Sequence, residues 1–110
     1  MSLSYSNDFY FKIKKGDNFS SPIFAEKIVN QYIKHTFKDK KIIQMRVVLK
    51  NSITYEVENK YSVDEYNYII YVKDSLNNII KKDIIVAIKY NKSELIVKIY
   101  NLEIENSFRF

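Results

Sequence analysis

Cysteine and tryptophan are absent from this 110-residue sequence, and glycine and proline occur once each, as Gly16 and Pro22. Without cysteine the chain has no disulfide, no thiolate nucleophile and no cysteine-ligated zinc site. A chain of this length does not need such cross-links, because it can bury about two thirds of the surface that its unfolded form exposes. We therefore expect a single domain that spans residues 1–110.

Long apolar runs are also missing, since no stretch approaches the roughly 20 apolar residues that a membrane span requires. The first residues, Met1 to Ser4, do not place a basic region before an apolar one, so we expect no signal peptide. These absences do not assign a compartment. A cytoplasmic protein and an excised extracytoplasmic domain both remain open.

Arginine is scarce although the chain is basic, with a formal net charge of +5 and a pI near 9.3. Of the 18 basic side chains, only Arg46 and Arg109 are arginine, the residue preferred for bidentate phosphate and guanine contacts. Lys, Ile, Asn, Phe and Tyr, which A/T-rich codons encode, make up more than half of the chain. Codon bias explains much of the charge, so the pI alone is weak evidence for a nucleic-acid partner.

The most clearly marked element is a helix over residues 21–37. Ser21 is a suitable N-cap, and Pro22 stands at the first helical position, where its missing N–H costs no hydrogen bond. Apolar residues then recur at three- and four-residue spacings, which is typical of a helix that packs by one face. That face consists of Ala25, Ile28, Val29, Tyr32, Thr36 and Phe37.

The remaining segments favour β-strands, because their apolar residues alternate with polar ones. Short turns such as the one over residues 74–78 join antiparallel neighbours. We predict an α+β fold with one N-terminal helix packed on a curved antiparallel sheet, in the order β-α-β-β-β-β-β. The predicted strands cover 9–15, 42–50, 52–63, 66–73, 79–90 and a last segment from Leu95 that continues past a bulge at Asn101.

This order of elements resembles the cystatin fold and the related nuclear-transport-factor-two-like domains. The segment from Tyr68 to Leu102, which contains the pattern Lys-Lys-Asp-Ile-Ile-Val-Ala-Ile-Lys, is similar to their C-terminal hairpins. Cystatin inhibitors insert a Gln-x-Val-x-Gly hairpin into a protease. The nearest segment here, over residues 44–48, lacks both the spacing and the glycine, so the resemblance implies a fold and no inhibitory activity.

Residues that could support catalysis are few. His35 is the only histidine, and the spacing suggests no partner that would orient it as a general base. Glu56 and Glu58 are predicted to share a strand face, where they could hold a cation, but charges of this kind usually protect an edge strand. No glycine-rich phosphate loop and no nucleophile motif are present. We predict no catalytic residue, no metal site and no cofactor.

Two predicted strands are apolar on both sides, and one helix can cover only one face of a sheet. The second face is then covered by sheet curvature, by the termini or by another molecule. We therefore predict a non-enzymatic interaction or assembly module that binds a protein partner or itself, as a homodimer, through an apolar, tyrosine-rich sheet surface. The residues predicted for this surface are Tyr66, Tyr68, Ile69, Tyr71, Ile85 and Ala87.

Two alternatives stay open. One is a nucleic-acid-binding accessory protein of an A/T-rich phage, virus or mobile element, with contacts from Tyr10, Lys12, Lys14 and Lys15. The other is a small-ligand or enzyme pocket between the helix and the sheet. The first alternative predicts that lysines gather beside tyrosines on one face of the sheet.

Overall fold

The computed structural model describes residues 19–102. Within this range, one α-helix precedes four antiparallel strands that lie side by side in the sheet order β1-β2-β3-β4. The elements are α1 Pro22–Thr36, β1 Ile42–Val57, β2 Tyr61–Asp74, β3 Ile79–Tyr90 and β4 Leu95–Asn101.

The helix confirms the sequence prediction at both ends. Ser21 is the N-cap, and its hydroxyl oxygen accepts a hydrogen bond from the Ile23 N–H at 3.0 Å. Phe37 is the C-cap, and its N–H donates to the Ile33 carbonyl at 3.0 Å. The predicted apolar face is buried except for Thr36, which is exposed. Two further buried residues, Phe24 and Ile33, belong to the same face.

The predicted strand order β-α-β-β-β-β-β is wrong, because four strands follow α1 where five were predicted. The strand predicted over residues 9–15 lies outside the described residues. The coarser prediction, an α+β fold with an antiparallel sheet, is confirmed.

The first hairpin turn explains part of the error, because it falls inside a segment predicted as one strand. Val57 stands opposite Tyr61, and the Lys60 N–H donates to the Val57 carbonyl at 3.1 Å. Glu58 and Asn59 have positive φ angles of 59° and 51°, as both central residues of a type I′ turn do. Odd-numbered residues stay on one face on both sides of this turn. The alternation therefore continues without a visible break.

A β-bulge explains the rest. β1 is one continuous strand, and a register shift between Leu49 and Asn51 leaves Lys50 as the extra residue. The bulge reverses the alternation of apolar residues, which in the sequence looks like the end of a strand. β2 likewise continues through Asp64 and Glu65, which lie on opposite faces of the sheet.

The core lies between α1 and one face of the sheet, and it depends mainly on β2, β3 and β4. Alternate residues of these strands face the helix and are almost fully buried. β1 contributes partly buried Ile42 and Val47. The strand residues of the core are Tyr66, Tyr68, Ile70, Val72, Ile84, Val86, Ile88, Leu95, Val97 and Ile99.

One buried carboxylate links three strands on the helix side of the sheet. Asp64 on β2 accepts from the Thr54 hydroxyl on β1 at 2.8 Å and from the Tyr90 hydroxyl on β3 at 3.2 Å. Burial, together with the nearby Asp64 carboxylate, raises the pKa of Tyr90. Both carboxylate oxygens thus have a donor, as a buried charge requires.

The turn between β2 and β3 is organised by Asp74. Its carboxylate accepts from the backbone N–H groups of Leu76 and Asn78, each at 2.9 Å, and from the Asn78 side-chain amide at 3.2 Å. Asn77 takes the left-handed conformation with φ 64°. The hydrogen bonds from Asn78, helped by the one from Leu76 and the charge of Lys40, lower the pKa of Asp74.

We expect Ile28→Ala to lower the free energy of unfolding by about 2–5 kcal/mol, because Ile28 is completely buried at the centre of the helix face. Chemical denaturation measures the change. Ile23→Ala is the matched control, since Ile23 is 67% exposed on the same helix, and we expect a change of at most about 0.5 kcal/mol. A loss below about 0.5 kcal/mol for Ile28→Ala would show that this face does not contact the sheet.

We also expect the difference in free energy of unfolding between the wild type and Asp74→Ala to become smaller as the pH is lowered. A carboxyl whose pKa is lowered by folding stabilises the protein above its ordinary pKa near 3.8. It loses this contribution as the pH falls through the lowered, folded-state value. Unfolding measured from neutral pH to below that range tests this, with exposed Asp39→Ala as control. A difference that stays constant with pH contradicts the assigned role of Asp74.

Candidate interaction surface

The face of the sheet opposite α1 is here named the open face. Strand register places on it the odd-numbered residues of β2 and β3, together with their cross-strand partners on β1 and β4. Each cross-strand row therefore has one residue from each of two to four strands. In one row Asn51, Asn67, Ile85 and Tyr100 lie side by side.

Four of the six residues predicted for the interaction surface lie together on the open face. Ile69, Tyr71 and Ile85 are half-buried there, and Ala87 is nearly covered by its neighbours. We name these four residues the apolar patch. They lie on the two central strands, β2 and β3, where neighbours on both sides hold them in place.

Tyr66 and Tyr68 lie on the other face of β2. They point towards α1, with only 5% and 3% of their surface exposed. Their rings are stacked, with the ring centres 6.3 Å apart. Burial raises the pKa of Tyr68 to about 12. These two tyrosines belong to the core and do not contact a partner across the open face. Tyr10, Lys12, Lys14 and Lys15, predicted to contact nucleic acid, are outside the described residues.

Several residues that the sequence pattern did not assign to this surface extend the apolar patch. Val48 on β1 stands opposite Ile69, and Tyr100 on β4 stands opposite Ile85. Ile53, which is 55% exposed, lies on the same face beside Glu65. The bulge at Lys50 conceals that Val48 and Ile53 share a face, because strict alternation along the sequence would place them on opposite faces. A reversal of alternation at a single residue was the signal in the sequence.

The two acidic residues of the described open face are each bound to a neutral side chain. Glu65 accepts a hydrogen bond from the Tyr55 hydroxyl, and this bond is the main reason why the pKa of Tyr55 is raised to about 12. Asp83 accepts from the Asn67 amide at 2.7 Å, and the same amide donates to the Ile84 carbonyl at 2.9 Å. These pairs join neighbouring strands and fix the centre of the face.

Five cationic side chains share the open face with those two acids. On β3, Lys81 and Lys89 lie on the open face and Lys82 lies on the helix side. The ammonium of Lys89 lies 4.4 Å from the centre of the Tyr61 ring, a cation–π contact. The gathering of lysines beside tyrosines is therefore partial. The five cations are Arg46, Lys73, Lys81, Lys89 and Lys98.

Shallow depressions follow the length of the open face. One, of about 260 Å³, lies over all four strands, and its lining includes Tyr55, Val63, Ala87 and Tyr100. Another, of about 320 Å³, lies towards the opposite end of β2, beside Tyr71. Such volumes are at or below the lower end for pockets that enclose a drug-sized ligand. A surface of this shape is suited to a flat or extended partner.

The residues considered for catalysis or metal binding do not form a site. Glu56 is on β1, whereas Glu58 is in the turn, so the two do not share a strand face. Asp64 is buried on one side of the sheet and Glu65 lies on the other. His35, late in α1, is half-buried. Across residues 19–102, no three His, Cys, Asp or Glu side chains come together in a way that could hold a metal ion.

A depression lies between α1 and β1, where one of the alternatives predicts a pocket between the helix and the sheet. Its volume is about 210 Å³, and Glu26, Asn30, Leu49 and Tyr68 are among its lining residues. This volume is below that of typical small-molecule sites. In the part of the chain that the structure describes, no helix is long and apolar enough to cross a membrane.

The chain matches no known protein-family model, no curated protein and no solved structure. The resemblance to cystatin-like and nuclear-transport-factor-two-like domains therefore stays a prediction.

Proposed function

We propose that this protein is a non-enzymatic interaction module that docks a protein partner, or a second copy of itself, through the open face of its sheet. The observation that carries the proposal is the position of the apolar patch. Ile69, Tyr71 and Ile85 are half-buried on the two central strands of a sheet face, whereas α1 packs on the opposite face.

The residues around the patch support the same function. Val48, Ile53 and Tyr100 extend it across all four strands. Interfaces commonly have an apolar and aromatic centre with a polar rim, and here the cations Lys98 and Arg46 flank the apolar residues. The surface resembles such an interface in composition as well as in position.

The rigidity of the face also favours docking. The Tyr55–Glu65 and Asn67–Asp83 hydrogen bonds hold β1, β2 and β3 in register on this side. A partner that binds a pre-organised surface loses less conformational entropy than one that must order it. The open face therefore needs no rearrangement before it binds.

We expect Ile85→Lys to abolish association through the open face and to leave the domain folded. The substitution places a charge at the centre of the patch, where a docked partner would desolvate it. Light scattering after size exclusion, at high micromolar protein, measures self-association, and thermal unfolding reports the fold. The wild type should run as a dimer and the variant as a monomer of similar stability.

Ile23→Lys is the matched control, because it makes the same change at an exposed isoleucine on α1, away from the open face. It should behave like the wild type. The proposal fails if the wild type is a monomer at high concentration and Ile85→Lys unfolds it, because the open face is then part of the core.

A further inference from the structure

One end of the open face has a tyrosine placed between two cations. Arg46 on β1, Tyr71 on β2 and Lys81 on β3 form a single cross-strand row, and Lys73 lies in the next row on β2. We name these four residues the basic end. Neighbouring strands are about 4.8 Å apart, so the backbones of Arg46 and Lys81 are separated by about 10 Å, with the ring of Tyr71 between them.

The cations of the basic end have no acidic neighbour in their own rows. The row of Lys73 contains Gln44 and Ile79, and neither of the two rows has a carboxylate on this face. The nearest acid on the face, Asp83, lies one row away on β3, so the two rows hold three cations against this single neighbouring carboxylate. Positive charge therefore accumulates at this end, whereas charges elsewhere on the face are partly balanced.

The ring of Tyr71 is accessible beside these charges. It is half-buried and lines the depression of about 320 Å³ together with Arg46, Lys73 and Ile79. Arg46 and Lys81 are exposed, and their long side chains can reach a ligand that lies over the ring. Ile79, 74% exposed, adds an apolar contact at the rim.

We propose that the basic end binds single-stranded nucleic acid, with one base stacked on Tyr71 and the flanking phosphates bound by Arg46, Lys73 and Lys81. Proteins that bind single strands combine aromatic platforms for the bases with cations that follow the backbone. This activity goes beyond protein docking and does not depend on it.

A duplex fits this site less well than a single strand. The bases of a duplex are stacked on one another, so none of them can lie on the ring of Tyr71. A second copy of the chain would bring cations against cations. An acidic polypeptide matches the charge but has no ring to stack on Tyr71, so the role of this ring separates the two ligands.

The test measures fluorescence anisotropy of a labelled oligothymidylate, about 15 nucleotides long to exceed one site, at salt concentrations from about 50 to 200 mM. Three phosphate contacts predict that log K falls with log salt with a slope of about −2. Arg46→Gln should reduce this slope by about 0.7. Tyr71→Ala should weaken binding about 5- to 150-fold, the loss expected for one stacked base, whereas Tyr71→Phe should retain the affinity.

Matched controls separate a defined site from diffuse positive charge. Lys34→Gln removes an exposed cation from α1 and should leave the slope unchanged. Tyr71→Leu keeps an apolar side chain but removes the ring, so it tests stacking if Tyr71→Ala fails to fold. Lys73→Gln removes a cation one row beyond Tyr71 and outside the apolar patch. It should lower the slope as Arg46→Gln does and should not alter the association state seen by light scattering, which keeps this result independent of the docking proposal.

Three results would overturn the inference. The first is equal affinity of the wild type and a folded Tyr71→Leu variant for the oligothymidylate. The second is a reduction in the slope of log K against log salt that is as large for Lys34→Gln as for Arg46→Gln. The third is displacement of the strand by polyglutamate at equal charge concentration, which would identify an acidic protein as the ligand.

Discussion

The fold depends on how little of the sheet one helix can cover. A helix of 15 residues is about 22 Å long, whereas the 16 residues of β1 extend over about 50 Å. α1 therefore closes the middle of one face over β2, β3 and β4 and does not cover the far part of β1. Among residues 19–102, Met45 and Leu49 are exposed large hydrophobic residues on this uncovered helix side of β1, whereas exposed Ile53 and Tyr55 lie on the open face of the same strand.

The two faces of the sheet consequently have different chemistry. On the helix side, the buried carboxylate of Asp64 is held in place because it accepts hydrogen bonds from Thr54 and Tyr90. On the open face, the acidic residues Glu65 and Asp83 accept hydrogen bonds from Tyr55 and Asn67. The apolar and cationic side chains are therefore the groups that remain to contact other molecules. The apolar patch and the basic end meet at Tyr71. A protein partner and a nucleic acid would therefore compete for this ring or share it.

The helix could be predicted from the sequence because its signals are local. Ser21 and Pro22 mark its start, and the spacing of Ile28, Val29 and Tyr32 marks its buried face. The number of strands could not be predicted, because the turn and the bulge that determine it affect the alternation of apolar residues in the opposite way to that expected. The turn at Asn59 preserves alternation although the chain reverses, and the bulge breaks alternation although the strand continues.

The candidate surface was predictable in part for a similar reason. A strand whose side chains are apolar on both faces of the sheet is expected to be covered on both faces. This pattern assigns Ile69 and Ile85 to the face opposite the helix, where the strand register also places them. The same pattern cannot tell which alternate set faces the helix, so Tyr66 and Tyr68 were assigned to the surface. The basic end is formed from three strands, and only the strand register brings Arg46 next to Tyr71.

The bulge at Lys50 has a consequence for uncontrolled polymerisation. Among residues 19–102, β1 has a neighbouring strand on one side, and a long apolar edge is a template for foreign strands. The extra residue bends the edge near its midpoint and adds a charge there. A straight strand can then follow at most about half of β1. The irregularity that disguises this strand in the sequence thus also protects it against the growth of fibrils.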